Sequence, residues 1–203
     1  MTWHLTRFGD FVDLNPSVRV QRTSSYPFVE MAVISPGRRY VEAMQSRTPA
    51  SGSRFVAGDT LFARITPCLE NGKIAQYRAE PGSVGLGSTE FWVLRAKPGI
   101  SDAGFVYYLA TTPTLRGPAE ASMVGASGRQ RANLAAVRDL QVLVPDLTTQ
   151  RRISGALGCF DDLVEANRRR AETLEEMARL LYREWFVYYR FPGHELVAEV
   201  YRQ

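Results

Sequence analysis

The sequence predicts an α+β protein: a mixed α/β domain over residues 1–145, followed over residues 146–203 by one long helix with an aromatic tail. Short apolar runs separated by Gly, Pro, Ser and Asn fill the first part, as in a domain of short strands and turns. Residues 148–187 contain no proline and only two glycines, which favours an uninterrupted helix. A length of 203 residues is enough for one domain with a core and an appendage.

Five apolar runs of the first part are predicted strands, because β-branched and aromatic residues are concentrated there between turn-forming residues. These runs cover residues 28–34, 60–65, 73–77, 90–94 and 140–144. The segment GDTLFARITPCLENGKIAQ, residues 58–76, is then a strand, a turn and a second strand. We interpret GSVGLG, residues 82–87, as a hairpin turn, because a strand-like segment follows it rather than a helix whose N-terminus would hold a phosphate.

Two helices are predicted. The run AGFVYYLAT, residues 103–111, has helical spacing, and Asp102 can cap its N-terminus. The second helix, residues 148–187, would be about 60 Å long. Along it, five residues recur at seven-residue spacing: Ile153, Phe160, Asn167, Leu174 and Leu181. Asn167 is the one polar residue of this column. This seam predicts pairing with another helix, where Asn167 fixes the register at a cost in stability. The alternative is that Asn167 faces solvent on a helix lying along its own domain.

The sequence lacks the motifs of common catalytic and cofactor sites. Cys68 and Cys159 are far apart, and His4 and His194 lie near opposite ends, so we predict no metal site and buried free thiols. Neither a GxSxG elbow nor a glycine-rich dinucleotide loop is present, which predicts no cofactor and no catalytic residue. The absence of a membrane-length apolar run and of a signal-peptide core predicts a cytoplasmic protein.

Positive charge is concentrated in the first part of the chain. The net charge is +4; residues 1–149 carry 16 Lys and Arg against 12 Asp and Glu, and the remainder carries nine of each. Such an excess suggests a polyanion partner. Candidates for DNA contact cluster in residues 58–76 and in GASGRQRANL, residues 125–134: Arg64, Asn71, Lys73, Arg129, Gln130 and Arg131. Arginine and glutamine can read base edges and lysine can hold phosphates; the alternative for each is a solvated loop residue.

Four separated segments carry a resemblance to one protein family. In order they are GDTLFARITPCLENGKIAQ, GSTEFWVL, GASGRQRANLAAVRDLQVLVPDLTTQRRI and LEEMARLLYREWFVYYRFPGHE. Together they closely resemble the specificity (S) subunits of type I restriction-modification enzymes. The resemblance implies a target recognition domain with a curved β-sheet, followed by a conserved helix that forms a coiled coil. It also implies that Arg64, Asn71 and Lys73, as part of the shared pattern, build the domain or hold phosphates rather than read bases.

The same resemblance implies a non-catalytic subunit whose partners are double-stranded DNA, a methyltransferase (M) subunit and a restriction (R) subunit. Full-length S subunits contain the domain and the helix twice, with the helices antiparallel. This sequence contains them once, which implies a half-size subunit that forms a homodimer through the long helix and reads a gapped, bipartite target. Pairing with a different half-subunit is the alternative. The aromatic tail would dock the M subunit or else pack on the recognition domain. Its aromatic residues are Trp185, Phe186, Tyr188 and Tyr189.

Two other classes of function compete with this interpretation. The first is an assembly or inhibitory protein of such a complex, without specific DNA binding of its own. The second is an enzyme in its own right, for example a nuclease, which the missing catalytic motifs argue against.

Overall fold

The computed structural model describes residues 2–126 and 128–195, and the chain divides into a first unit, Met1–Gly158, and a second unit, Cys159–Gln203. The strands β1 to β11 are Trp3–Arg7, Val12–Leu14, Tyr26–Val29, Tyr40–Val41, Gln45–Arg47, Ser53–Val56, Thr60–Ala63, Ile74–Tyr77, Val84–Gly87, Phe91–Ala96 and Gln141–Pro145. The helices α1 to α5 are Phe8–Phe11, Ala103–Thr111, Pro113–Ala121, Leu134–Arg138 and Leu147–Tyr182. Met31–Val33 form a 3₁₀ turn and Arg183–Val187 a π-helical turn.

The strands of the first unit form three sheets. A five-stranded sheet has the order β2-β10-β7-β8-β4, and a four-stranded sheet has the order β5-β3-β9-β6. Strand β1 pairs with β11 in a separate antiparallel sheet. Strands β7 and β8 form the antiparallel hairpin predicted for residues 58–76, with Leu61 opposite Ala75. The predicted fold class, mixed α/β structure followed by one long helix, is confirmed.

The five-stranded sheet is covered on both faces, because alternate side chains of its strands enter two different cores. Phe62 and Trp92 stack with their ring centroids 5.7 Å apart in the first core cluster, which also contains residues of α1 to α4. Their neighbours Leu61 and Val93 belong to the second core cluster, together with Phe55 of the four-stranded sheet. A strand covered on both faces reads as a continuous apolar run, which is why β7 and β10 were recognisable in the sequence.

The interpretation of GSVGLG as a hairpin turn is wrong. Residues Val84–Gly87 are strand β9, which is parallel to β3 and antiparallel to β6. The Phe55 ring packs against the backbone of this strand: a Cβ on Gly85 would lie 2.9 Å from Phe55 Cδ2, and one on Gly87 would lie 2.9 Å from Cε1. The two glycines therefore make room for a buried aromatic ring instead of forming a turn.

The second half of the predicted strand 28–34 is also wrong. Strand β3 ends at Val29, and Met31–Val33 form the 3₁₀ turn. Ile34 is buried in the second core cluster, with Met31 and Val33 packed against it, so apolar character here reflects packing without strand pairing. The other four predicted strands occur with each end within two residues of its predicted position.

Both predicted helices are present. Helix α2 has the predicted bounds, and the Asp102 carboxylate caps it by accepting a hydrogen bond from Phe105 N at 2.9 Å. Helix α5 begins beside Asp146, whose Oδ1 accepts from Thr149 N at 2.9 Å. The predicted helix 148–187 is confirmed, with its last five residues in the π-helical turn. The boundary between the two units, after Gly158, falls within α5.

Several features bear on what the chain could bind. Both cysteines are free; Cys68 is half-buried but Cys159 is exposed on α5, so the prediction of buried thiols is wrong for Cys159. Within residues 2–126 and 128–195, no group of three or more His, Cys, Asp or Glu side chains could hold a metal ion. No helix within these two ranges has the length and apolar character needed to cross a membrane.

Candidate nucleic-acid interface

The first unit carries an open groove of about 780 Å³. Its lining consists of residues 15–20, 52–54 and 91–93, together with Arg64 and Thr89. Three of the lining residues are arginines, Arg19, Arg54 and Arg64, and none is an aspartate or a glutamate. We refer to this feature as the arginine groove. Its positive charge suits a polyanion such as a nucleic-acid backbone.

One side of the arginine groove is the irregular segment that follows β2, and Asn15 fixes the start of this segment. Asn15 adopts a positive φ of 50°, a region that asparagine tolerates better than most residues. Its backbone N–H donates to Val93 O at 2.8 Å, and its Oδ1 accepts from Val93 N at 2.9 Å. These two hydrogen bonds attach the segment to β10 at Asn15, four residues before Arg19.

Glu90 brings together two arginines from distant parts of the sequence. Arg64 Nε donates to Glu90 Oε2 at 3.2 Å. Arg131 donates through Nε, 3.1 and 3.0 Å from the two carboxylate oxygens, and through Nη2, 2.6 Å from Oε1. The Glu90 side chain is only 17% exposed. The hydrogen bond from Arg131 is the main cause that lowers the pKa of Glu90 from its ordinary value; burial opposes it, and the positive charges of both arginines add to it.

The main chain holds these two arginines next to each other. Arg64 N donates to Glu90 O at 3.0 Å, and Ala132 N donates to Arg64 O at 2.8 Å. Ile65 and Arg131 form an antiparallel bridge. The two segments in which DNA contacts were predicted are thus joined by backbone pairing, and their junction lies beside the arginine groove through Arg64.

Of the six predicted DNA-contact residues, Arg64 lines the arginine groove and the other five do not. Lys73 is half-buried, and its Nζ donates to Met31 O at 2.8 Å, a hydrogen bond within the fold. Asn71 is exposed in the turn between β7 and β8. In the loop before α4, Arg129 is exposed and Gln130 is half-buried. Of the six predicted residues, the structure therefore brings together Arg64 and Arg131.

Sequence reasoning missed Arg19 and Arg54. Arg54 alternates with the buried Phe55 on β6, a pattern that could have marked it as an outward-facing strand residue. For Arg19 no comparable signal exists, because only the folded chain brings it to the same groove as Arg54. A smaller adjoining cavity of about 200 Å³ shares residues 52–54 with the arginine groove, and there the Arg47 guanidinium lies 4.0 Å from the centroid of the Phe28 ring.

The second unit exposes apolar side chains of the predicted seam. Phe160, Leu174 and Leu181 are all exposed. Asn167 is exposed too, and Arg170 Nη1 donates to its Oδ1 at 3.4 Å. Ile153 differs from these residues: it lies in the first unit, half-buried against the first core cluster.

The aromatic tail is also accessible. The four residues predicted to dock a partner are exposed, on the π-helical turn and just after it: Trp185, Phe186, Tyr188 and Tyr189. Contiguous exposed aromatic side chains are typical of surfaces that pack against another protein.

The chain is similar in sequence and in fold to known proteins. No protein-family model matches the chain. Two curated relatives from Escherichia coli do match: the type I restriction enzyme EcoEI specificity subunit, 29% identical over 162 residues, and the EcoAI specificity subunit, 27% identical over 156 residues. The chain resembles type I restriction enzyme specificity subunits. The matches cover 75% and 74% of this chain but 27% and 26% of the two relatives, so the chain spans about a quarter of their length.

Solved structures of S subunits have the same fold. The HsdS subunit from Thermoanaerobacter tengcongensis matches with a TM-score of 0.63 at 21% identity, over 88% of this chain and 47% of that chain. The S subunit from M. genitalium gives a TM-score of 0.59 at 16% identity, over 92% and 46%. A chain from a study of assembly and conformational transition of the type I R-M system gives 0.65 at 18% identity, over 91% and 48%. The predicted family resemblance is therefore confirmed.

Proposed function

We propose that this chain is a DNA sequence-specificity subunit of a type I restriction-modification enzyme. It binds double-stranded DNA through the first unit, has no catalytic activity of its own, and directs M and R subunits to a bipartite target. The observation that carries this proposal is the arginine groove, in a chain whose curated relatives are specificity subunits.

The arginine groove offers the hydrogen-bond donors that DNA recognition needs. A guanidinium can bind two phosphate oxygens, or the O6 and N7 atoms of guanine, through two parallel hydrogen bonds. Arg19 and Arg54 are exposed, and among the described residues no ion pair involves either of them. Their donors are therefore available to DNA without first breaking a salt bridge. We assign base or phosphate contacts to these two residues and to Arg64.

Residues outside the groove extend this proposed surface. Asn71, Arg129, Gln130 and Arg131 remain proposed DNA contacts, since all but the half-buried Gln130 are exposed. The family resemblance implied that Lys73 either holds phosphates or builds the domain. The second role fits better, because its ammonium group donates to a backbone carbonyl.

Selection from a library of random duplexes tests the proposal. The full chain, alone or with its M subunit, should enrich one sequence class. The Arg54→Gln variant should bind more weakly. The decrease of the logarithm of its association constant with the logarithm of salt concentration should be less steep by about 0.9, the value for one lost phosphate contact. Arg152→Gln is the matched control, because it removes the same charge from an exposed residue of α5 outside the groove. Equal effects of the two substitutions would contradict a DNA-binding groove.

For the second unit we propose a homodimer through the seam Phe160, Asn167, Leu174 and Leu181. Exposed apolar side chains at seven-residue spacing favour burial against an identical stripe on a second copy. Leu174→Glu should then shift the chain from dimer to monomer in sedimentation velocity. Thr173→Glu adds the same charge one residue away and should leave the dimer intact. If the wild type is monomeric and pairs only with a different half-subunit, the homodimer proposal is wrong and the mixed pair takes its place.

The aromatic tail is the proposed docking surface for the M subunit. Phe186 is 60% exposed, so its truncation should cost little folding stability but weaken M-subunit binding, as expected for a binding hot spot. Titration calorimetry of Phe186→Ala and of wild type against the M subunit measures both binding constants. An unchanged affinity for the M subunit would contradict docking on the aromatic tail, which would then have another contact.

The exposed apolar surface of the second unit also favours a second candidate function. The chain could act as an assembly or inhibitory protein of such a complex, binding partners through the second unit without specific DNA binding. A complex saturated with M subunit that binds all duplexes of the random library equally would favour this candidate over the first.

A further inference from the structure

Arg64 is held at one edge of its guanidinium. Its Nε donates to Glu90 Oε2 at 3.2 Å, while its Nη1 and Nη2 make no hydrogen bond within the described residues. The same side chain lines the arginine groove. An arginine anchored through Nε keeps its two terminal amino groups for a second partner, and these two groups form the fork that binds guanine or phosphate.

Glu90 itself is firmly placed. Arg131 contacts both carboxylate oxygens of Glu90, and the Glu90 backbone carbonyl accepts from Arg64 N at 3.0 Å. The hydroxyl of Ser88 accepts a hydrogen bond from Glu90 N at 3.2 Å. A carboxylate fixed in this way can restrict the rotamers of a neighbouring arginine, so less side-chain entropy is lost when that arginine binds DNA.

We propose that Glu90 is a positioning residue for sequence recognition, which holds Arg64 by its Nε edge and presents the Nη1 and Nη2 donors to DNA in the arginine groove. This inference rests on the proposed function and adds a specific role for an acidic residue. It assigns Arg64 a base contact in place of the domain-building or phosphate-holding role that the family resemblance implied. Glu90 makes no contact with DNA in this scheme; it acts through Arg64. Arg131 has the supporting role of fixing the carboxylate.

The charge of the cluster gives the proposal an unusual signature. Arg64, Arg131 and Glu90 together carry one net positive charge, and Glu90→Gln raises this to two. Non-specific binding depends mainly on charge, so it should strengthen and become more salt-dependent in the variant. Specific binding depends on the orientation of the Arg64 fork, so it should weaken. The two affinities should therefore change in opposite directions.

The test compares two duplexes of equal length: the sequence that wild type selects from a random library, and a scrambled sequence. For Glu90→Gln the ratio of the two dissociation constants should fall about tenfold, within the range for one bidentate base contact. Glu80→Gln is the charge-matched control, because Glu80 is exposed on the connection before β9 and does not line the groove. It should leave the ratio unchanged. Glu90→Asp, which keeps the charge, should retain more of the selectivity than Glu90→Gln.

A double-variant cycle separates positioning from general damage to the fold. If Glu90 acts through Arg64, then Arg64→Ala and the double variant should show the same selectivity, because Glu90 has nothing left to orient. Additive losses of selectivity in the two single variants would overturn the proposal. A Glu90→Gln variant that binds both duplexes more tightly by the same factor would overturn it too. If wild type selects no sequence at all, the proposed function fails and this inference fails with it; a selective wild type with an equally selective Glu90→Gln variant overturns the inference alone.

Discussion

Gln150 offers a test of how α5 is attached to the rest of the first unit, through the variant Gln150→Leu. The side chain is 1% exposed and makes three hydrogen bonds with backbone groups. Its Oε1 accepts from Asp102 N at 2.9 Å, and its Nε2 donates to Pro145 O at 2.9 Å and to Ile100 O at 3.1 Å. Leucine has a similar volume, so the substitution removes these bonds without opening a large cavity.

The expected cost follows from the groups that lose a partner. Ile100 is exposed, so water can replace Gln150 at its carbonyl. Asp102 N and Pro145 O have less access to water, and each unsatisfied buried group costs about 1 to 3 kcal/mol. The greater apolar surface of leucine offsets part of this loss. We therefore expect the free energy of unfolding to fall by about 2 to 4 kcal/mol, which corresponds to a drop in Tm of about 5 to 15 °C for a unit of this size.

Urea denaturation followed by tryptophan fluorescence measures this change, because Trp92 is buried in the first core cluster. Gln141→Leu is the control, since Gln141 is exposed on β11 and its replacement should alter stability by less than about 0.5 kcal/mol. A loss below 1 kcal/mol for Gln150→Leu, or an equal loss for the control, would refute the view that Gln150 anchors the start of α5.

Two further predictions concern the same unit. Gly155→Ala should stabilise the helix by about 0.5 to 1 kcal/mol, since a Cβ there meets nothing within 4 Å. Gly158→Ala should stabilise it less, because its Cβ would lie 2.8 Å from Arg39 Nη1 and the guanidinium, which donates to Gln76 and Tyr108, would have to shift. Calorimetry of both variants measures this difference; equal shifts would contradict the packing at Gly158. The lowered pKa of Glu90, due first to Arg131, stabilises the fold above the ordinary value of 4.5 and loses that effect as pH falls below it. Wild type should therefore lose more stability than Glu90→Gln between about pH 5 and pH 3 in urea titrations; parallel curves would contradict the linkage.

Local signals made much of the fold predictable. Helix α2 combined helical spacing with a capping aspartate, and both operate within a few residues of sequence. The β7–β8 hairpin was recognisable because its strands are buried on both faces. The segment GSVGLG misled, because glycine serves equally as a turn residue and as space for a distant ring. Only the position of Phe55, about thirty residues earlier, distinguishes the two uses.

The candidate site was less predictable, because it depends on long-range contacts. The sequence drew attention to Arg64 and Arg131, yet their pairing through Glu90 requires segments that lie far apart in the chain to meet. Arg19 gave no signal, and the alternation of Arg54 with Phe55 indicates only that Arg54 faces outward on a strand, since an arginine at such a position is usually solvated surface. Their significance appears only when the fold places both in one groove free of acidic side chains.

The most direct test of the central claim is single-molecule sequencing of methylated adenines in cells that produce the cognate M subunit. The comparison includes wild-type chain, the Arg54→Gln variant, and no chain. We predict methylation at one bipartite sequence when the chain is present and none without it, with reduced occupancy for the Arg54→Gln variant; a gapped palindrome would agree with the homodimer. An identical methylation pattern with and without the chain would contradict the account.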